Sequence, residues 1–457
     1  MWSPTLPKVH PLYRGIVALL EDDISSGSLI AGERLPTHRE LSRIFGVTIG
    51  TITKAFTEAE RKGLVVGRVG RGTYVQEFPE ELVAKDSETM SYIDLSINTV
   101  TIEPFNNMLK RVFGILARRK SLHGLLEYHP VPGMYSQRVA GVKWMQLRGL
   151  SPSPDQVLVC NGAQEALMAA LATVTKLGGT VLTESLNYAG IKRFADLFRL
   201  DIAGIPTDCH GMMPDKLSDI AKGKNVSAIL CSPTLHNPTN ARMPLERRKE
   251  ILKIAARLGA CVIENDSYGH ISGDTAPTMS ELDPERCIYI CSTAKTIAPG
   301  LRIGFVSAPA AMIPKLSKGV KGTSWTSPSL MGEITAILIE SGMAEKFLDW
   351  HRKEATDRVK LASSILQRDD IALNAPTYHV WVPLPAPWRA IDFADEVRKL
   401  GTIVSPADYF AVDQSPPPQA VRISLGGVQD RGRLAEGLKA VAQILQARPD
   451  GGLPTVQ

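Results

Sequence analysis

Apolar residues in the first 76 positions recur at two spacings, and the switch from one to the other marks the elements. Leu12, Ile16, Leu19, Leu20 and Ile24 fall on one helical face after Pro11 and stop before Gly27, which predicts a first helix. Thr37 stands three residues before Glu40, the spacing at which hydroxyl and carboxylate satisfy each other's backbone amides. A second helix should open there, bury Leu41, Ile44 and Phe45, and end at Gly46. Val47 and Thr48 open a third, with Ile52, Ala55, Phe56 and Ala59 inward and Gly63 closing it. Residues 64–66 and 73–75 are apolar and strand-like around a Gly- and Arg-containing turn, the pattern of a β-hairpin. Three helices and a hairpin predict a winged helix-turn-helix, mainly α with a β wing, over residues 8–76. In that arrangement the third helix presents Thr48, Gly50, Thr51 and Lys54 to the major groove of double-stranded DNA, while Arg39 and Arg71 reach phosphates or the minor groove.

Residues 77–91 carry Pro79, several acidic residues and little periodicity, and read as a solvated linker. From Tyr92 the pattern changes again. Short apolar runs at 156–160, 180–183, 228–232, 260–264, 287–292 and 303–306 alternate with helical stretches, predicting an α/β domain with a mostly parallel sheet. Ligands in such sheets gather at the carboxyl ends of the strands.

Composition agrees with this and removes other classes. The 457 residues are 44% hydrophobic and 22% charged, which suits a globular chain of two or three domains and excludes a disordered or fibrous one. No run approaches the roughly 20 apolar residues of a membrane span, and residues 1–20 lack the order of a secretory signal, so a cytoplasmic protein is expected. The net charge is +5; residues 1–76 hold ten Lys or Arg and seven Asp or Glu, a modest N-terminal excess. Charge alone does not announce nucleic-acid binding, so the motif geometry has to carry it. The six cysteines lie mostly in apolar runs without C-x-x-C spacing, which predicts buried free thiols and neither disulfide nor metal site.

The sharpest chemical signal is residues 292–304. Lys295 sits in an otherwise apolar stretch, where burial disfavours the ammonium and prepares an imine-forming amine, so it is the candidate Schiff-base lysine. Seven residues on, Arg302 offers a fork of donors suited to phosphate, and Ser292 adds a hydroxyl. Residues 161–166 follow a strand and open a helix, so the amides of Ala163 and Gln164 are placed to hold phosphate.

Two resemblances organise these signals. The run from Pro11 through Gly32-Glu33-Arg34-Leu35-Pro36 and Arg39-Glu40-Leu41 to Gly70-Arg71-Gly72-Thr73-Tyr74-Val75 resembles the GntR-family DNA-binding domain, which adds Arg34 to the DNA-contact set. Where that family often carries an arginine at the start of its recognition helix, this chain has Ile49 and Gly50, so readout leans on Thr48, Thr51, Arg39, the wing or DNA shape. Residues 92–447 resemble the fold-type I aminotransferases, with a large domain at 92–323 and a small one at 324–447. The combination resembles the MocR branch of the GntR regulators.

The second resemblance implies a pyridoxal 5'-phosphate cofactor stacked on Tyr188, with Asn237 on its phenolic oxygen and Tyr268 nearby. Either Asn265 or Asp266 would face the pyridine nitrogen, and Arg422 would grip a ligand carboxylate. Tyr128 would reach a partner subunit's phosphate in a homodimer. Asn240 stands where the family's turn has glycine, and His236, Trp381 and Trp388 are expected to be structural. The implied function is a transcriptional regulator that senses pyridoxal phosphate, an amino acid or an amine at Lys295. The alternative is a working aminotransferase with an appended DNA-binding domain.

Overall fold

The computed structural model describes residue 2 and residues 11–30, 32–62, 64–68, 72–76, 92–102, 105–368 and 376–447. The linker 77–91, Arg71, Gly63 and residues 8–10 lie outside the described residues. The chain divides into two compact units, Met1–Met90 and Ser91–Gln457.

In the first unit, helices Leu12–Ser25, His38–Phe45 and Ile49–Arg61 precede a two-stranded antiparallel ribbon of Val65–Arg68 and Gly72–Val75. The second helix starts because Thr37 Oγ1 accepts from the Glu40 amide at 3.3 Å while Glu40 Oε2 accepts from the Thr37 amide at 2.7 Å. It stops at Gly46, whose φ of 64° most other residues would resist. Ile16, Leu20, Leu41, Ile52, Phe56 and Val75 close one small core. Ile44 is a correction: it is exposed, because the inner stripe runs through Leu41 and Phe45 and position 44 falls a further 60° round the helix.

The second unit is built on a seven-stranded sheet in the order Val157–Cys160, Gly304–Ser307, Cys287–Ser292, Cys261–Asn265, Val226–Cys231, Thr180–Glu184, Asp201–Ile205. Gly304–Ser307 runs antiparallel to both neighbours and the other pairings are parallel. Strand residues alternate between two packed faces, Val157 and Val159 entering one core and Leu158 and Cys160 another. A three-stranded sheet of His379–Pro383, Ala420–Ser424 and Ser405–Pro406 carries the smaller layer.

Within the second unit the packing does not divide into two layers at residue 324. Strand Ile93–Asp94 pairs with Thr402–Ile403, and Leu95 joins the core of the smaller layer. Helix Ser329–Glu340 packs with the larger one, and helix Met343–Leu366 spans both: Phe347 and Leu348 lie in the first core, Val359 and Ala362 in the second. A 24-residue helix reaches about 36 Å, enough to serve two cores. All six cysteines are free; Cys209 is exposed on a hairpin turn, against the expectation of burial, while Cys160, Cys231, Cys287 and Cys291 are buried.

Candidate functional site

A cavity of about 600 Å³ opens at the carboxyl ends of the parallel strands, between the two layers of the second unit. Of the residues singled out from the sequence it gathers Ala163, Gln164, Tyr188, Asn237, Asn265, Tyr268, Ser292, Lys295, Arg302 and Arg422.

Lys295 ends a short turn directly after strand Cys287–Ser292, and its Nζ donates to the carbonyl of Asn98. Burial, reinforced by the Arg422 and Arg302 charges, lowers its pKa to about 8. At pH 7 roughly a tenth of such an amine is neutral, against about three in ten thousand for an ordinary lysine.

At the other side of the cavity, helix Gly162–Val174 begins with the amides of Ala163 and Gln164 unpaired by the helix itself. Arg302, at φ 54°, lays its Nη2 3.2 Å from the Asn161 carbonyl. A Cβ at Gly162 would meet that Nη2 at 2.7 Å, so glycine, at φ 80°, is what admits the guanidinium here. The two amides, the guanidinium and the Ser292 hydroxyl line the same cavity, a donor set whose chemistry suits an anion.

Tyr188 lies against Gly190, where a Cβ would come within 2.2 Å of the ring. Asn237 Oδ1 accepts from Arg422 Nη1 at 3.0 Å, and Arg422 Nη2 donates to the Ser96 carbonyl, its guanidinium lying 4.7 Å over the Phe410 ring. The remaining Nε of Arg422 is buried without a hydrogen-bond partner among the described residues. Burial lowers the Arg422 pKa to about 10 and raises that of Tyr268 to about 12. Tyr268 accepts from Asn98 Nδ2 at 2.9 Å. Asn240 adopts φ 60° and donates to the His379 carbonyl, so the turn stands without glycine. His236 is buried and bonded to Thr239 at 2.7 Å, and burial lowers its pKa to about 4.

Geometry separates positions 265 and 266. Asn265 lines the cavity, its Oδ1 accepting from Ser267 Oγ at 2.6 Å. Asp266 does not line it: its carboxylate is fully buried, 3.0 Å from Arg148 Nε and 2.8 Å from the Tyr289 hydroxyl. Successive side chains of an extended segment alternate in direction, so only one of the two faces the cavity. Tyr128 is likewise outside the cavity, exposed beside Trp325.

Sequence reading missed Ser96 and Asn98, whose backbone carbonyls hold Arg422 and Lys295 and carry no side-chain signal. It also missed Arg148, Arg193, Arg398 and Tyr409, which no local motif marks.

In the first unit, Arg61 pairs with Glu58 and Lys62 with Glu21, whereas Arg34, Arg39 and Lys54 form no ion pair among the described residues. Arg34, Arg39, Thr48 and Lys54 are exposed. Lys54 Nζ rests 4.5 Å over the Tyr13 ring, and the Thr48 and Thr51 hydroxyls bond each other at 2.9 Å while Thr48 caps the helix. Among the described residues no helix is long and apolar enough to cross a membrane, and no His, Cys, Asp and Glu cluster suits a metal.

A winged helix on one unit and an aminotransferase fold on the other define a class of protein that joins a DNA-binding module to a pyridoxal-phosphate-type domain. Residues 91–440 match the family "Aminotransferase class I and II" and residues 12–75 match "Bacterial regulatory proteins, gntR family". The chain belongs to the class I and II aminotransferase family and, through its gntR domain, to the MocR-type regulators. The HTH-type transcriptional regulator YdeF of Bacillus subtilis is 29% identical over 97% of this chain and 96% of its own. The vitamin B6 salvage pathway transcriptional repressor PtsJ of Salmonella typhimurium is 25% identical over 90% and 93%. Among solved structures, the α-aminoadipate aminotransferase LysN of Thermus thermophilus superposes with a TM-score of 0.70 at 23% identity, over 85% of this chain and 98% of that one.

Proposed function

We propose that this protein is a cytoplasmic, homodimeric transcriptional regulator whose aminotransferase-like unit binds pyridoxal phosphate and reads it, or an amine effector, without turning the amine over. The observation that carries this reading is that, among the described residues, no carboxylate lines the cavity.

The residues fit the cofactor. The cradle of Ala163, Gln164, Ser292 and Arg302 suits its phosphate, Tyr188 its ring, Asn237 its phenolic oxygen, and Lys295 its carbonyl carbon. Bound there, the cofactor supplies an aldehyde that combines reversibly with primary amines and, where its pyridine nitrogen is kept protonated, an electron sink. Asn265 is neutral and its amide NH2 has no hydrogen-bond partner among the described residues, so it would donate to an unprotonated pyridine nitrogen and would not hold a proton on it. Lys295 presents an amine of which roughly a tenth is neutral at pH 7, and Arg422 holds a carboxylate by its buried donors. The relative PtsJ, named for vitamin B6 salvage, supports the cofactor itself as one signal.

An Asn265→Asp protein is expected to gain transamination. With pyridoxal phosphate and an amino acid, conversion to the pyridoxamine form should rise roughly a hundredfold over the unsubstituted chain, about 2.7 kcal/mol of barrier. Equal or faster conversion by the unsubstituted chain would instead support the working aminotransferase.

On the DNA side, Arg34 and Arg39 contact the operator backbone, Thr48, Thr51 and Lys54 stand at the major groove, and Arg71, outside the described residues, is assigned to phosphates or the minor groove from the sequence alone. Arg39→Ala should weaken DNA binding about equally on all sequences and lower the salt slope by about one, read by fluorescence anisotropy across a salt series. Tyr128, exposed on its own subunit, reaches the partner's cavity.

A further inference from the structure

Five cationic side chains line the cavity, and the reading above, on which this inference rests, occupies three of them. Arg302 meets phosphate, Lys295 the aldehyde carbon and Arg422 a ligand carboxylate. Arg193 and Arg398 are left over. Arg193, on helix Gly190–Phe198 of the larger layer, donates Nη2 to the Tyr409 hydroxyl at 3.1 Å. Tyr409 belongs to the turn Ala407–Phe410 of the smaller layer, the turn that also brings Phe410 beneath Arg422. Arg398 comes from helix Ala390–Lys399 of that same layer. Neither arginine forms an ion pair among the described residues, and both open onto the cavity that holds Lys295.

We propose that Arg193 and Arg398, with the Tyr409 hydroxyl, form a second anion subsite, so that the effector is a primary amine bearing one carboxylate for Arg422 and a further acidic group for this pair. Each guanidinium offers parallel donors that match a carboxylate or phosphate. The Tyr409 oxygen accepts from Arg193, which leaves its own proton to donate to the same anion. A neutral amino acid leaves both arginines without counter-charge. A doubly acidic one neutralises them and ties the larger layer, through Arg193, to the smaller, through Arg398 and Tyr409. Both arginines are solvent-exposed, so the gain is moderate and falls with salt.

The test is calorimetric titration of the full chain, with and without pyridoxal phosphate, using glutamate, O-phosphoserine and glutamine as probes. Glutamate, phosphoserine or both should bind about tenfold more tightly than glutamine at low salt. The tighter of the two acids identifies the distal group as carboxylate or phosphate. In Arg193→Gln, and separately in Arg398→Gln on the opposite layer, the ratio should collapse towards one. Equal affinity for glutamine and both acids, no binding of either acid, or a preference that survives both substitutions overturns the subsite. Cofactor uptake is measured first by absorbance. Uptake without charge preference overturns the subsite alone, charge preference without uptake overturns the cofactor reading alone, and absence of both overturns both.

Discussion

Lys295→Ala is expected to abolish covalent capture of pyridoxal phosphate. After borohydride reduction, mass spectrometry of the unsubstituted chain should find the added phosphopyridoxyl mass on the peptide containing Lys295, and the variant should carry none. Its residual affinity, from the phosphate cradle and ring contacts, should be at least about tenfold weaker. The cause is local: among the described residues this lysine is the one amine lining the cavity, and burial brings its pKa to about 8. The capture rate in the unsubstituted chain should therefore climb as pH rises towards 8 and level off above it, since only the neutral amine attacks. An ordinary lysine would keep climbing past pH 10. Label on another lysine, or capture that still rises steeply above pH 9, would remove Lys295 from its role.

Asp266→Ala is expected to act on stability through a different route from its neighbour. Arg148 and Asp266 are almost wholly buried, with side-chain exposures of 4% and 0%, and Asp266 also accepts from Tyr289. Removing the carboxylate strands a buried guanidinium and should cost ~3–5 kcal/mol. The larger unit's unfolding midpoint should then fall by on the order of 10 °C. The double change Arg148→Met with Asp266→Leu should recover most of the loss, because an apolar pair of similar volume needs no counter-charge. Thermal unfolding followed by tryptophan fluorescence checks both. A stable Asp266→Ala protein that had lost cofactor binding would return Asp266 to the cavity.

What could be read from the chain follows the range of the forces involved. Short-range rules held where they were local: the Thr37 and Glu40 box, Gly46 as a helix end, and the apolar runs that became six strands of the sheet. The seventh strand, Asp201–Ile205, escaped because Asp-Ile-Ala-Gly-Ile is short, lies at the sheet edge and carries a glycine and an alanine. The division into layers escaped because helix Met343–Leu366 belongs to two cores, which its even amphipathic pattern does not reveal. The residues lining the cavity were largely legible, since each follows a strand end in sequence. The choice between Asn265 and Asp266 was not, because it depends on Arg148, 118 positions away from Asp266. Arg193 and Arg398 were silent for the same reason, as their meaning comes from sharing a cavity.

The central claim is that cofactor chemistry at Lys295 controls DNA binding, and one measurement tests it directly. DNA from beside the protein's own gene is titrated with the full chain, with and without pyridoxal phosphate, for the unsubstituted protein and for Lys295→Ala. Specific binding at modest salt is expected, with an affinity that changes several-fold with the cofactor, and the Lys295→Ala protein should still bind DNA but lose that change. No specific binding, or a cofactor response that persists undiminished in Lys295→Ala, would contradict it.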